Sequence, residues 1–334
     1  MKHERIFKWL VSAMVCCLFT APGCVKEAEI KTSPAAAPGK GVALAMKFVK
    51  GDSAAYKLTT QRERSVTVEG QQKDNAEVKG GINNDLVELI YTQDIQDVND
   101  NGYASAKITI KQIKCLSVYK DSKTIDFDSA KQAEPNNPLA KLVGQSYIIK
   151  LTPSGEVLNL PDTGKIMETI TGNSPESKVA QNLIRPDAIK ERHTIQALPV
   201  SSKNKLQSGN SWSITQNFSF DMMGTKTYEK VYTLKEVEKA GKQMAVVEMK
   251  AIPGASAEQR QQEQASSALS KMFDSTEKYT GRLELDLASG KIARYSENLQ
   301  IDWLVVNPEA KNDGKEPSAL KMIAIISYDL EKIN

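Results

Sequence analysis

The sequence predicts a mainly β protein: duplicated antiparallel β-sheet units forming a curved sheet, with inserted helices on one face. Three observations carry this. Long stretches alternate apolar and polar residues at the two-residue period of a half-buried strand, as in Ile108-Thr-Ile-Lys-Gln-Ile-Lys-Cys-Leu-Ser-Val118. Short turns rich in Gly, Asn and Asp separate these stretches, and strands joined by short turns run antiparallel. The same order of signals occurs twice, in residues 42–170 and again in residues 206–334, on either side of a helical connector at 171–205.

Residues 1–23 read as a signal peptide. Lys2, Arg5 and Lys8 lead into an apolar run from Trp9 to Phe19 that ends at Ala21-Pro22-Gly23-Cys24. Roughly a dozen apolar residues fall short of the ~20 that span a bilayer, and small residues precede the cut. The Gly23-Cys24 junction resembles the lipobox of bacterial lipoproteins, in which the cysteine thiol takes up diacylglycerol and the new amino terminus is acylated, for example with palmitate. That pattern has Leu three residues before the cysteine and a small residue two before; here those places hold Ala21 and Pro22. Lipidation at Cys24, simple cleavage and an uncleaved anchor are the three readings, and lipidation leads. Residues 24–41, rich in Ala, Pro, Lys and Glu, cannot bury a core and read as a flexible tether reaching at most roughly 50 Å. Val25 is not the Asp that holds many such proteins at the inner membrane, so the resemblance implies the outer membrane, facing the periplasm.

Each repeat opens on a Gly-Asx turn before an aromatic strand: Lys50-Gly51-Asp52 before Tyr56, and Ser208-Gly209-Asn210 before Trp212. A strand, a polar Gly turn and a return strand follow, around Gly102 in the first copy and Gly241 in the second. Each copy is then expected to insert a helical piece, since Gly102 to Gly144 spans 42 residues and Gly241 to Gly281 spans 40. Hairpins around Gly155 and Gly290 come next. The second insert, Ser256 to Phe273, reads as the clearest helix, with Ser256 and Gln259 as a capping box and Ala265, Ala268, Leu269 and Met272 on one face. In the connector, Ser174-Pro175-Glu176 starts a helix striped by Val179, Ala180, Leu183 and Ile184 that Pro186 ends. The last strands run from Arg294 to Val306, holding Trp303, and from Ala319 to Leu330, whose run Met322 to Ile326 belongs inside the sheet.

Residues 1–23 remove three basic and one acidic side chain from totals of 44 Lys+Arg and 41 Asp+Glu, which leaves a near-neutral chain. That balance argues against a nucleic-acid partner or a polyanionic substrate. Of four cysteines, Cys16 and Cys17 leave with the signal and Cys24 carries lipid, so Cys115 stands alone with no intramolecular partner. Its strand parity suits a buried small residue, with a reactive or intermolecular thiol as the alternative.

Motifs for chemistry are sparse. Asp97, Asn99 and Asn101 before Gly102 satisfy the first half of a calcium loop, but position twelve is Ile108, so an Asx-Gly hairpin turn is the competing reading. One histidine follows the signal, His193, which leaves no transition-metal set of ordinary composition. No Gly-x-Ser-x-Gly elbow, phosphate loop or dinucleotide fingerprint occurs, and Asp126 and Asp128 lie on a strand-like stretch. No catalytic residue and no cofactor are expected.

Met46-Lys-Phe-Val-Lys-Gly-Asp52, Leu198-Pro199 and Gly209-Asn-Ser-Trp212 resemble a family of bacterial envelope proteins known only as a domain of unknown function. Its members have a Lys-Phe-x-x-Gly-Asp opening and a later Leu-Pro, Gly-Asp-x-Trp segment; this chain has Asn210 in place of Asp. The resemblance implies a lipid-anchored envelope protein, held to the membrane by its lipid, that acts without catalysis by binding or structural interaction, an envelope protein being a possible partner. The alternative is a carrier for a lipid or other apolar ligand in the concave face of the sheet.

Overall fold

The computed structural model describes residues 26–31, 41–69, 81–131, 134–200, 205–220, 223–237, 243–254, 274–306 and 319–333. The predicted signal peptide, Cys24, Gly241 and the helix expected at 256–273 lie outside them. The strands in chain order are β1 (Lys26–Lys31), β2 (Val42–Ala43), β3 (Ser53–Glu69), β4 (Gly81–Val98), β5 (Ala104–Tyr119), β6 (Ser122–Asp128) and β7 (Ser146–Leu151), then β8 (Lys205–Leu206), β9 (Ser211–Ser219), β10 (Thr225–Glu236), β11 (Met244–Pro253), β12 (Asp274–Asp286), β13 (Lys291–Val306) and β14 (Ala319–Lys332). Between β7 and β8 come three short helices, α1 (Gly164–Thr169), α2 (Pro175–Ile184) and α3 (Pro186–His193).

The fold is mainly β, as the alternation predicts. One antiparallel sheet has the order β1-β9-β10-β11-β12-β13-β14-β3-β4-β5-β6, with β7 also paired to β5; β2 and β8 form a separate two-stranded pair. The two predicted units are therefore continuous: β14 pairs with β3 from Ala319↔Glu69 to Lys332↔Tyr56, and one hydrophobic core runs through both. Burial alternates along the strands, most plainly on β5, where Ala104, Ala106, Ile108 and Ile110 point inward. In the central strand β14, Met322 and Ala324 are buried while Ile323 and Ile325 are half-exposed on the outer face, so the apolar run serves both faces.

The sheet curls strongly. The hairpin before β13 and the turn after β7 are five strand spacings apart in sheet order, about 24 Å if the sheet were flat. Yet the N–H groups of adjacent residues reach both: Met46 N–H donates to Pro153 O at 2.7 Å and Lys47 N–H to Gly290 O at 3.1 Å. Closing that gap requires the inner face to be concave.

The Gly-Asx openings of the two halves have the same geometry. Gly51 N–H donates to Ile95 O, Asp52 N–H to Val49 O, and Ile95 N–H to Asp52 O. In the second half Gly209 N–H donates to Leu234 O, Asn210 N–H to Gln207 O, and Leu234 N–H to Asn210 O. Gly51 and Gly209 have φ of 88° and 89°, a region that L side chains rarely adopt. An aromatic pair stacks above each turn, Tyr56 on Tyr91 and Trp212 on Tyr232.

Three expectations are corrected. The helical insert of the first half is the strand β6, whose Ile125 and Phe127 are buried by ordinary alternation, followed by a single 3-10 turn at Ala140–Leu142. Matched Gly spacing therefore does not mark matched helices. The connector begins earlier than 171, because α1 precedes it; α2 ends where expected, but Pro186 then starts α3, since proline suits the first helical turn. Finally, residues 24–41 are not tether throughout: Lys26–Lys31 pair antiparallel with β9 from Lys26↔Thr215 to Lys31↔Ser211. Without them β9 would present a free edge of backbone donors and acceptors, and a chain too polar to build a core can still supply those bonds.

Candidate functional site

The inner face carries a charged cluster around Lys230, besides the Lys226–Glu277 ion pair nearer the start of β10. On β10, Lys230 sits at inward parity between Tyr228 and Tyr232, and its side chain is 0% exposed. Its Nζ donates to Gln196 Oε1 at 2.6 Å, Gln216 Oε1 at 3.0 Å and Glu297 Oε2 at 2.8 Å, and lies 2.6 Å from Glu297 Oε1. Glu297, on β13, also accepts hydroxyl hydrogen bonds from Tyr232, Tyr279 and Tyr295. The Lys230 ammonium lies over the Tyr232 and Tyr279 rings at 5.7 and 5.4 Å, which adds a cation–π contribution.

The spacing explains how two residues three strand positions apart can touch. Between them the inner face of β11 offers Ala251, opposite Lys230, and that of β12 offers Gly281, opposite Glu297. A Cβ on Gly281 would stand 2.9 Å from Ser296 O and 3.3 Å from Glu297 Cγ, so glycine there leaves the volume that the glutamate stem occupies. Small residues and curvature together let the long Lys and Glu side chains meet over the intervening strands.

Electrostatics follow from burial. Burial pulls the Lys230 pKa down against the opposing pull of the Glu297 carboxylate. For Glu297 burial works upward, but Lys230 and the Tyr279 and Tyr295 hydroxyls outweigh it, so the carboxyl is held below its usual range. The phenols of Tyr232, Tyr279 and Tyr295 lie well above their usual value, through burial first and the Glu297 charge second. They are donors that do not ionise, and they satisfy a carboxylate taken out of water.

The connector crosses this concave face. Tyr328 of β14 donates to Arg192 O at 2.9 Å, and Tyr147 of β7 meets His193 Nε2 at 2.8 Å. The ring of Tyr91 on β4 meets His193 edge-on, Ile195 N–H donates to Gly155 O at 2.8 Å, and Gln196 reaches Lys230. Residues 192–196 thus fill the space that an apolar ligand would need. A small cavity of about 10 Å³ lies beside Met46, Lys47 and Gly290, with room for about one water.

The residues singled out in the sequence fall elsewhere. His193 is buried, with its pKa pulled down to about 3, so the ring is a neutral partner for Tyr147. Cys115 is buried and free, and burial pushes its thiol up to about 11, away from reactivity. In the calcium-like loop the Asn99 side-chain oxygen accepts the N–H groups of Asn101 and Tyr103, while Asp97 faces Lys50 at 3.4 Å. That is the geometry of an Asx turn, with its principal oxygen already occupied. Among the described residues no group of three or more His, Cys, Asp or Glu could hold a metal ion. Asp126 pairs with Lys123 at the surface of β6.

Lys47 of the Lys-Phe-x-x-Gly-Asp opening caps the β12–β13 hairpin, donating from Nζ to Leu287 O at 2.6 Å. Asp52 forms an ion pair with Lys291 at 3.0 Å, whereas Asn210 turns its side-chain oxygen back onto Gln207 N–H at 2.8 Å. The Asn-for-Asp departure therefore falls at the turn whose side chain bonds the turn itself. The Lys230–Glu297 cluster was missed by sequence reasoning. Its signal was available: Lys230 and Glu297 are charged residues at the inward parity of strands whose neighbours at i±2 include Tyr228, Tyr232, Tyr295 and Leu299.

No curated protein matches this chain. A model of a family of unknown function, DUF6263, matches residues 101–292, which run from the β4–β5 turn through the connector and the Lys230 strand to the start of β13. That is more than half of the 334 residues, and the chain belongs to the DUF6263 family.

Proposed function

We propose that this is a lipid-anchored protein of the bacterial cell envelope, attached through Cys24 at the outer membrane and facing the periplasm, that acts by binding or structural interaction and not by catalysis. The signal-like start and the Gly23-Cys24 junction support the anchor. The observation that carries the mode of action is the filled concave face. Arg192 to Gln196 occupy it, and the charged groups that could do chemistry are enclosed: the side chain of Lys230 is 0% exposed and that of Glu297 13%. Side chains held by one another inside a core favour rigidity over turnover, so recognition falls to the surface. The matched Gly51 and Gly209 turns further support reading the two halves as copies of one unit.

Two measurements test this. Labelled fatty acid should enter the wild type and not Cys24→Ser, which should leave the membrane fraction; label in the mutant sinks the anchor. Native mass spectrometry of the protein extracted from its membrane should give the mass of the lipidated chain, alone or with a bound protein. A retained apolar molecule would replace the interaction reading with a carrier whose connector moves aside.

A further inference from the structure

The surroundings of Lys230 hold the parts of a covalent reaction as well as those of an ion pair. An amine, two primary amides and a carboxylate converge at one enclosed point. Nζ lies 2.6 Å from Gln196 Oε1, 3.0 Å from Gln216 Oε1 and 2.6 Å from Glu297 Oε1. A C=O bond is ~1.23 Å long, so Gln196 Cδ is at most about 3.8 Å from Nζ, near the ~3–3.5 Å of a near-attack geometry. The same bound for Gln216 is about 4.2 Å, and Gln216 is buried and also meets the Tyr279 hydroxyl at 3.2 Å. Gln196 is the nearer amide. It is only half-buried, which leaves a small leaving group a way out.

We infer that Lys230 and Gln196 are joined by an isopeptide bond that the folded chain makes by itself, with Glu297 as the proton carrier, fixing the connector covalently across the concave face. The atoms balance without a co-reactant. Glu297 takes one proton from the Nζ ammonium, and the freed lone pair bonds to Gln196 Cδ while the C=O π pair moves onto Oε1. Glu297 passes that proton to Nε2, the Cδ–Nε2 bond breaks as the carbonyl re-forms, and ammonia leaves. The second Nζ proton then goes to Glu297. An ammonium, a carboxylate and a primary amide become a secondary amide, ammonia and a carboxylic acid, with no net charge created or lost. Burial assists, because it favours the neutral amine and keeps out competing water. Glu297 is not the acyl donor, since an ionised carboxylate resists attack by an amine. The reaction occurs once per chain, so it needs no turnover, and it does not depend on lipidation at Cys24.

The test is tryptic peptide mapping of the full chain, purified folded and then denatured. Trypsin does not cut after an acylated lysine. The bond should therefore join His193–Lys203 to Thr227–Lys235 in one branched peptide, lighter than the two together by one ammonia, about 17 Da. Gln196→Leu should give only linear peptides, with cleavage after Lys230. So should Glu297→Gln, which keeps both reacting side chains and removes the proton carrier. If that variant does not fold, Glu297→Asp, which withdraws the carboxylate by one methylene, should slow bond formation by about tenfold or more. Linear peptides from the folded wild type overturn the inference. A branched peptide containing Leu206–Lys226 in place of His193–Lys203 makes Gln216 the partner and overturns the assignment to Gln196. Undiminished branching in folded Glu297→Gln, or an unchanged rate in Glu297→Asp, overturns the role given to the carboxylate.

Discussion

Glu297→Gln is the substitution that tests the buried cluster most directly, because it keeps the side chain's shape and removes its charge. Lys230 would then hold an ammonium with no counter-charge, bonded only to Gln196 and Gln216. The three tyrosine hydroxyls that donate to Glu297 would meet an amide with one carbonyl oxygen and an NH2 group. Breaking one partner of a buried pair costs about 3–5 kcal/mol. In a domain of this size, at ~2 °C per kcal/mol, the thermal midpoint should fall by about 6–10 °C. Lys230→Met should cost less, since the glutamate keeps three hydroxyl donors. The double variant Lys230→Met/Glu297→Gln should lose clearly less than the two singles together, because no uncompensated charge remains. Urea unfolding followed by circular dichroism supplies all four corners of this cycle. The pH dependence has a definite sign. Glu297 is held below its usual range in the fold, so its contribution is fully present above the unfolded value of ~4.3 and drains away as pH falls through the folded one. Lys230 is lowered in the fold, so the cost of burying its charge is relieved as pH rises toward ~10.4. Additive singles, or a Glu297→Gln loss under about 0.5 kcal/mol, would refute the claim that the two charges sustain each other.

Gly290→Ala should destabilise far more than Gly51→Ala: both have positive φ, but a Cβ at Gly290 would stand 2.4 Å from Lys47 N whereas Gly51 has nothing within 4 Å, and unfolding midpoints in urea compare them. His193, lowered to about 3 in the fold, should make stability drop as pH falls from ~6.5 toward 3, since the unfolded chain binds the extra proton there; His193→Phe should flatten that slope in a pH series of unfolding curves. Trp212 and Trp303 are buried, 1% and 4% exposed, so their fluorescence should be blue-shifted and unmoved by added fatty acids, and Trp303→Ala should cost about 3–5 kcal/mol. Cys115 should resist a thiol reagent at pH 8 until urea unfolds the chain.

What was legible in the sequence follows from which interactions are local. Strand alternation and Gly-Asx turns involve residues a few positions apart, so β5, the Gly102 and Gly155 turns and the α2 cap at Ser174 could be read directly. Between Gly102 and Gly144 the matched Gly spacing suggests a helical piece, whereas the alternation that makes the stretch around Asp126 and Asp128 strand-like is the signal that β6 follows. The β1–β9 pairing joins Lys26 to Thr215, and no local pattern marks a polar segment as a strand when its partner lies so far along the chain. The Lys230–Glu297 pair has the same difficulty in part. Inward parity flags each charge, but only the curl of the sheet over Ala251 and Gly281 says that the two meet.

The motif residues have one physical role in common. Met46 and Lys47 bind the turn after β7 and the β12–β13 hairpin at once, Asp52 pairs with Lys291, and Ile195 holds Gly155 while Gln196 holds Lys230. Each contact ties a segment outside the main sheet to strands far apart in sheet order, and each would be lost if the sheet flattened. A long antiparallel sheet has little else to fix its curvature, because ladder hydrogen bonds are satisfied equally well at many degrees of coiling. The Lys-Phe-x-x-Gly-Asp opening and the segment around Leu198-Pro199 therefore act as braces that set one curvature. Met46 and Ile195 brace from within the core, whereas Lys47 and Asp52 do so from the surface, Lys47 being exposed and the Asp52 side chain partly so.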